Sequence, residues 1–338
     1  MSLVLNGVDY GPVQSASGAQ GWFGEGYWYH RYVPGLNWNG CTFVSKTTTL
    51  NAREGNMPLN ERGEAKELFP KCVVVNLRKG IVLNSVGLSG PGAEALFEMG
   101  EWQKREQPFF LSFMSVSSTI EDRLFEAHAF ADLLNGHADS FRAPFGVQIN
   151  LSCPNTGHDP AEIAKDAKRL LEVFQFLRPE IPIVPKFNVL YPVEVLSEIE
   201  PLCDAICVSN TLPWGTLPAA VDWFALFPNK SDDVLEELDT TYNPIHDSWA
   251  VNPLSRHGIK GGGLSGAPLL PLVEEWVKAA RGRGIDIPIN AGGGILGPND
   301  VDRLAKAGAD SVFLGSIAIL RGWRVRSTIR RAHKLLGR

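Results

Sequence analysis

The 338-residue chain reads as an α/β protein, a (β/α)8 or TIM-type barrel formed by one domain, 1–338, with extended βα loops. Three observations predict this. Eight short apolar, β-branched runs recur along the chain. Most are followed by a polar or Gly-rich turn and then a helical pattern. No linker or low-complexity segment divides them. An open doubly wound sheet is the structural alternative. The length suits a barrel, because single α/β barrels commonly run to ~250 residues or more.

The strands are expected near 13–16 (VQSA), 43–47 (FVSKT), 110–114 (FLSFM), 147–150 (VQIN), 181–187 (IPIVPKF), 205–210 (AICVSN), 287–291 (IPINA) and 311–315 (SVFLG). Helical patterns fall at 91–103, 119–135, 160–178, 191–200, 268–283, 299–308 and 317–335. In 160–178, Ile163, Ala167, Leu170, Leu171, Val173 and Phe174 recur at helical spacing. A barrel carries its functional residues at the C-terminal ends of its strands. Polar residues fall there: Ser17, Lys46, Ser112, Asn150, Lys186, Asn210, and the glycines after 291 and 315. Each is costly in an apolar setting unless paired, so their recurrence at one end of successive strands reads as a site.

Composition narrows the classes. Hydrophobic residues make up 44%, charged residues 20% and aromatics 9%, which is globular composition. The net charge of -5 supplies no field for nucleic acid. The basic C-terminal stretch (Arg321, Arg324, Arg326, Arg330, Arg331, Lys334) reads as a solvated helix face. Five scattered Cys do not make a disulfide framework and suit a reducing cytoplasm. Cys203 and Cys207 are spaced C-x3-C, but no second ligand pair follows, so no metal site is expected. MSLVLNGVDYG shows no signal peptide, and no apolar run reaches the ~18 residues of a membrane span. A cytoplasmic protein without membrane or nucleic-acid partners is expected.

NAGGGILGPND (290–300) follows a strand and enters a helix. Bare backbone N–H groups and a helix N-terminus together favour an anion. With the second glycine turn at 315–316 it matches a phosphate cradle from the last two barrel strands. Ordinary βα turns are the alternative. A dinucleotide fingerprint fits poorly, because the unit lies near the C-terminus and the next strand ends in Gly315-Ser316. KGGGLSG (260–266) has no convincing strand before it and reads as a loop passing close to a flat ligand.

INLSCPNTG (149–157) is the most specific stretch. A strand delivers Asn150, and Pro154 stops it, holding Cys153 above the barrel mouth. A thiol titrates at ~8.5, near enough to neutrality to act as base or nucleophile once tuned. An inert buried cysteine is the alternative. Asn84, Asn150, Asn155 and Asn210 form an amide array suited to a neutral heterocycle with alternating C=O and N–H edges. Lys46 and Lys186 add positive charge for a carboxylate or an electron-rich ring.

Together these stretches resemble the dihydroorotate dehydrogenase family of FMN-dependent barrels. The resemblance rests on SASG (15–18), SKTTTLNAREGN (45–56), LNSVGL (83–88), INLSCPN (149–155), PKF (185–187), SNT (209–211), GGLSG (262–266), AGGGI (291–295) and LGSI (314–317). It spans nearly the whole chain in the family's order. It implies FMN contacts from Ser17, Lys46, Thr47, Ser112, Asn150, Lys186, Gly266, Gly293, Gly294, Gly315 and Ser316. It implies substrate contacts from Lys46, Asn84, Gly87, Leu88, Asn150, Asn155, Asn210 and Thr211. Cys153 lies where the family has its base, and cysteine there is similar to the soluble class 1 enzymes.

The implied reaction is oxidation of dihydroorotate to orotate in pyrimidine biosynthesis. Cys153 takes the C5 proton, hydride passes to N5 of FMN, and Lys186 stabilises the reduced flavin. A homodimer is implied, and an electron-transfer partner is open. Another FMN barrel acting on a different dihydropyrimidine or an enone is an alternative, as is a flavin-free phosphate-binding lyase or isomerase. Two stretches lie outside the resemblance: the aromatic GWFGEGYWYH around 22–30, and a loop insertion at 214–258 that reads as a lid or interface.

Overall fold

A computed structural model describes residues 2–60, 63–151, 160–228 and 251–337, the side chains of 160–164 excepted. Its centre is a curled sheet of seven parallel strands. Their order around the sheet is Val13–Ser15, Ser311–Leu314, Ile289–Gly292, Ile206–Val208, Ile183–Phe187, Phe145–Asn150 and Phe109–Phe113. From Phe109–Phe113 onward each strand pairs with its successor in the chain, and the last pairs with the first. Seven of the eight expected strands therefore form, with ends shifted by a residue or two.

The eighth, 43–47, is not a regular strand. Residues 42–48 lie in the gap between the Val13–Ser15 and Phe109–Phe113 edges and touch both through isolated parallel bridges. The Thr42 amide donates to Val13 O at 2.9 Å, and Ser45 N and Thr48 N donate to Phe110 O and Ser112 O, each at 2.9 Å. The fold is thus barrel-like, with seven regular strands and one bridged segment in place of a fully closed ladder of eight. The physical reason is in the sequence. Ser45, Thr47 and Thr48 turn hydroxyls onto neighbouring groups, which competes with regular pairing.

Strand residues are buried on both faces, as parallel sheets covered by helices require. Ile120–His137 starts at Thr119, whose side chain accepts from Asp122 N. Pro298–Ala307 starts on proline. Pro160–Phe174 and Leu269–Gly282 fall within the expected stretches. The expected 91–103 helix is shorter, Ala93–Glu98, and 191–200 breaks into the turns Val193–Val195 and Leu196–Ile199. The C-terminal pattern is also two pieces, Ile317–Leu320 and Val325–Leu336, split around Gly322. The second piece buries Val325, Thr328, Ile329, Ala332 and Leu336 and leaves Arg326, Arg330 and Lys334 exposed.

A main core fills the layer between sheet and helices. A smaller one lies inside the curl: Val44, Phe110, Val184, Ala205, Cys207 and Phe313 pack on Leu3, Leu5 and Tyr10 of the N-terminal segment. The hairpin Val4–Leu5 with Val8–Asp9 accompanies that segment.

A second, antiparallel sheet goes beyond the sequence pattern. Its order is Leu212–Pro213, Gly263–Gly266, Ile81–Asn84 and Val73–Asn76. KGGGLSG is thus partly a strand, and the reading of it as a loop is corrected. It pairs with a segment distant in sequence, Gly263 opposite Asn84 and Gly266 opposite Ile81, which no local pattern signals. The sheet has its own core with Leu254, Val221, Trp223 and Phe227, which includes the described flanks of the 214–258 insertion. Residues 229–250 of that insertion lie outside the described residues. Among the described residues no helix is long and apolar enough to cross a membrane.

Candidate active site

The strand ends bring several predicted residues together. Three hydroxyls form a chain across adjacent positions: Ser17 Oγ to Thr47 Oγ1 at 2.7 Å, and Thr47 Oγ1 to Ser112 Oγ at 2.9 Å. Ser17 follows one edge strand, Ser112 lies on the other, and Thr47 sits on the bridged segment between them. Ser112 is fully buried and Thr47 nearly so.

The amides form a second group. Asn210 Nδ2 donates to Asn150 Oδ1 at 2.9 Å, and Asn210 Oδ1 accepts from Thr211 N at 3.0 Å. Asn150 closes the Phe145–Asn150 strand and is in register with Lys186 on the next strand. Lys186 is 5% exposed, its ammonium 5.0 Å from the centre of the Phe313 ring. Burial pushes its ammonium below the usual lysine range, opposed by the nearby Cys207 thiol. Cys207, inside the curl, is itself pushed up to about 12 by burial, with Lys186 pulling the other way. Its sulfur accepts from Gln148 Nε2 at 3.6 Å.

Lys46 is 9% exposed and donates from Nζ to Ser89 O at 2.8 Å. Burial lowers its pKa to about 8, and the charges of Glu25 and Cys72 partly oppose that fall. Ser89 Oγ in turn accepts from Met57 N and donates to Val86 O, fixing the 85–90 turn that carries Gly87 and Leu88. Both of those residues have left-handed backbone.

Asn84 sits apart from the barrel strands, at the end of Ile81–Asn84 in the antiparallel sheet. Its Nδ2 donates weakly to Gly263 O at 3.4 Å. Thr211 packs against Gly263 from the other side, so the sheet gathers Asn84 and Thr211 about one strand. The glycine turns are equally crowded. A Cβ on Gly294 would lie 2.6 Å from Leu270 N and 2.8 Å from Gly266 O. Gly315 lies against Ala16, whose amide donates to Leu314 O. Gly293 and Gly315 follow neighbouring parallel strands, as does Ser316.

Cys153 and Asn155 lie outside the described residues. Sequence reasoning missed Trp22, whose indole faces the Lys46 ammonium at 4.7 Å. The density of aromatic residues after Ser17 was the available signal, but nothing local says which ring turns inward.

Those donors are chemically of one kind. Buried hydroxyls, two ammonium groups, oriented amides and bare glycine backbone suit an anionic, acceptor-rich ligand with a flat polar edge. Comparison with known proteins gives an independent finding. No family model matches the chain. It is 28% identical over 331 residues to the catalytic subunit of dihydroorotate dehydrogenase B (NAD(+)) from Desulforamulus reducens, covering 96% of this chain and 89% of that one. The subunit of the same name from Bacillus cytotoxicus is 28% identical over 310 residues, covering 88% and 80%. That from Thermotoga petrophila is 25% identical over 287 residues, covering 85% and 83%. Similarity along most of the chain to proteins that share one name, in a barrel-like fold, supports an assignment to the dihydroorotate dehydrogenase family.

Proposed function

We propose that the chain is an FMN-dependent oxidoreductase that converts dihydroorotate to orotate. The observation that carries this is the set of buried and half-buried polar groups gathered at the strand ends: the hydroxyl chain, Lys186 beside Asn150, and the Asn150–Asn210 pair. That set fits FMN in its chemistry. Gly293, Gly294, Gly315 and Ser316 hold the phosphate; Ser17, Thr47, Ser112, Asn150, Lys186 and Gly266 hold the ring system and ribityl chain. Lys46 would serve both ligands.

FMN, when bound, supplies the acceptor for the hydride that leaves C6 of dihydroorotate. The protein does the rest. Asn84, Asn150, Asn155 and Asn210 orient the pyrimidine edges, with Gly87, Leu88 and Thr211 beside it. Lys46 faces the substrate carboxylate. Cys153, as thiolate, takes the C5 proton. Lys186 keeps a fixed cation at the buried end of the site, where it favours negative charge.

The whole chain acts as one domain in this reading, with 42–48 as the eighth stave of a (β/α)8 barrel and the 214–258 insertion as a lid or interface. A cytoplasmic homodimer without membrane or nucleic-acid partners is the expected assembly. The relatives' name attaches NAD(+) to their reaction, and NAD(+) is proposed as the final acceptor here, reached through an electron-transfer partner.

The test is anaerobic mixing of the yellow, FMN-loaded protein with dihydroorotate. Bleaching of the flavin is expected, slowed about 10²–10⁴-fold by Cys153→Ala with FMN still bound. A flavin that stays oxidised with dihydroorotate but bleaches with another dihydropyrimidine sinks the substrate assignment. A protein that cannot take up FMN sinks the redox reading.

A further inference from the structure

We propose that Trp22 is the positioning residue for Lys46: the segment after Ser17 carries in an indole that holds the Lys46 ammonium charged and fixed at the site. This rests on the reading that Lys46 serves the bound ligands, and it assigns a task to an aromatic stretch that the proposed reaction leaves unused.

Trp22 is 2% exposed and is held on every side. Its Nε1 donates to Gly63 O at 3.2 Å, and its carbonyl accepts from Trp102 Nε1 at 2.7 Å. The Glu25 carboxylate accepts from Trp22 N at 2.8 Å and from Phe23 N at 2.7 Å, which closes the turn that aims the indole. Gly21 O accepts from Lys46 N at 2.9 Å, so the same turn is tied to the lysine's own backbone. Tyr27 OH donates to Gly18 O at 2.7 Å and fastens the far end of the segment. The turn at 89–90 presses on the indole edge, since a Cβ on Gly90 would lie 2.9 Å from its ring carbons.

The Lys46 ammonium is thus placed between the Trp22 face at 4.7 Å and Ser89 O at 2.8 Å. Burying an ammonium is costly, and a ring face and a carbonyl are the compensations present. The charged and titratable groups facing it are Glu25 from its own side of the site and Cys72 from beside the antiparallel sheet. Both favour the cation, yet burial still brings the group to about 8. Near neutrality a change in one compensating contact therefore alters how much of Lys46 is charged.

The experiment uses FMN-free protein labelled with ¹³Cε-lysine, the Lys46 signal being assigned by its loss in Lys46→Met. Its titration is followed by NMR in the wild type, Trp22→Phe, Trp22→Leu, and protein carrying a polyfluorinated tryptophan at position 22. The last keeps the shape of the residue but drains the ring face, so it remains decisive if Trp22→Leu does not fold. Phe should leave the midpoint near the wild-type value. The fluorinated ring and Leu should each lower it by about one pH unit. A midpoint that stays at the wild-type value with the fluorinated ring overturns the proposal. The readout needs no flavin turnover. A failure of the dihydroorotate reading would appear in the bleaching experiment, and a failure of this proposal only in the titration.

Discussion

Asn210 gives its amide N–H to the amide oxygen of Asn150 across 2.9 Å, joining the ends of strands that are separated in the sheet by Ile183–Phe187. The bond fixes the orientation of an amide proposed to meet both flavin and pyrimidine. Asn210→Ala should weaken orotate binding and slow flavin reduction by roughly tenfold, the size of one net hydrogen bond. Stopped-flow reduction and orotate titration read the two effects. Unchanged values for both would remove Asn210 from the site.

Lys46 gives the site a pH dependence. Its ammonium is charged below about 8 in the free protein. An anionic ligand therefore meets a cation at pH 7 and loses it as pH rises through that value. Orotate affinity, followed by the flavin spectrum from about pH 6.5 to 9.5 (roughly one and a half units either side of the lysine's lowered value), should fall across the alkaline half. Lys46→Met should flatten that limb.

Lys186 stands the other way round, as a cost to the empty fold. Because burial lowers its pKa, the unfolded chain binds this proton more tightly than the folded one. The penalty is present in full below the folded-state value and is relieved as pH rises toward the unfolded ~10.4. Lys186→Met should stabilise the FMN-free protein by about 1–3 kcal/mol at pH 7 in denaturant unfolding, while slowing flavin reduction. Loss of stability in that variant would mean that the ammonium is well compensated.

Two glycines separate structural need from chance. Gly294 has φ +82 and no room for a Cβ. Gly294→Ala should cost about 1–3 kcal/mol and weaken FMN binding. Gly136 lies exposed in Ile120–His137, with nothing within 4 Å of where an alanine methyl would sit. Gly136→Ala should instead stabilise the fold by about 0.5–1 kcal/mol and leave FMN binding alone. Thermal melts with and without FMN distinguish the pair.

The parallel strands and most of the helices were legible because each is announced by a local run, such as VQIN for Phe145–Asn150 or the spaced apolar residues of Pro160–Phe174. The antiparallel sheet was not, because its pairing joins Gly263 to Asn84 across distant sequence, and Gly263–Gly266 is short and begins and ends in glycine. The polar residues at strand ends were legible as a group for the same reason that they are costly: Lys186 and Ser112 interrupt buried apolar runs. Trp22 was not, since an aromatic-rich segment holds exposed Trp28 and Tyr32 beside the buried ring. Sidedness there comes from the Glu25 turn and the packing of Trp102, which only the folded chain supplies.

The bridged segment 42–48 makes the wall of the barrel uneven in strength. Elsewhere neighbouring strands hold each other by continuous ladders, but here the Val13–Ser15 edge is held by two backbone bonds, both at Thr42, and the Phe109–Phe113 edge by two separate pairs, one about Phe110 and one about Thr48. Local opening should begin along this seam, so its amides should exchange hydrogen sooner than those of Phe145–Asn150. Lys46 and Thr47 ride on the seam, and Thr47 links hydroxyls from both sides of it. A ligand seated across Ser17, Thr47 and Ser112 would act as a rivet, so that occupancy of the site and closure of the barrel become one event.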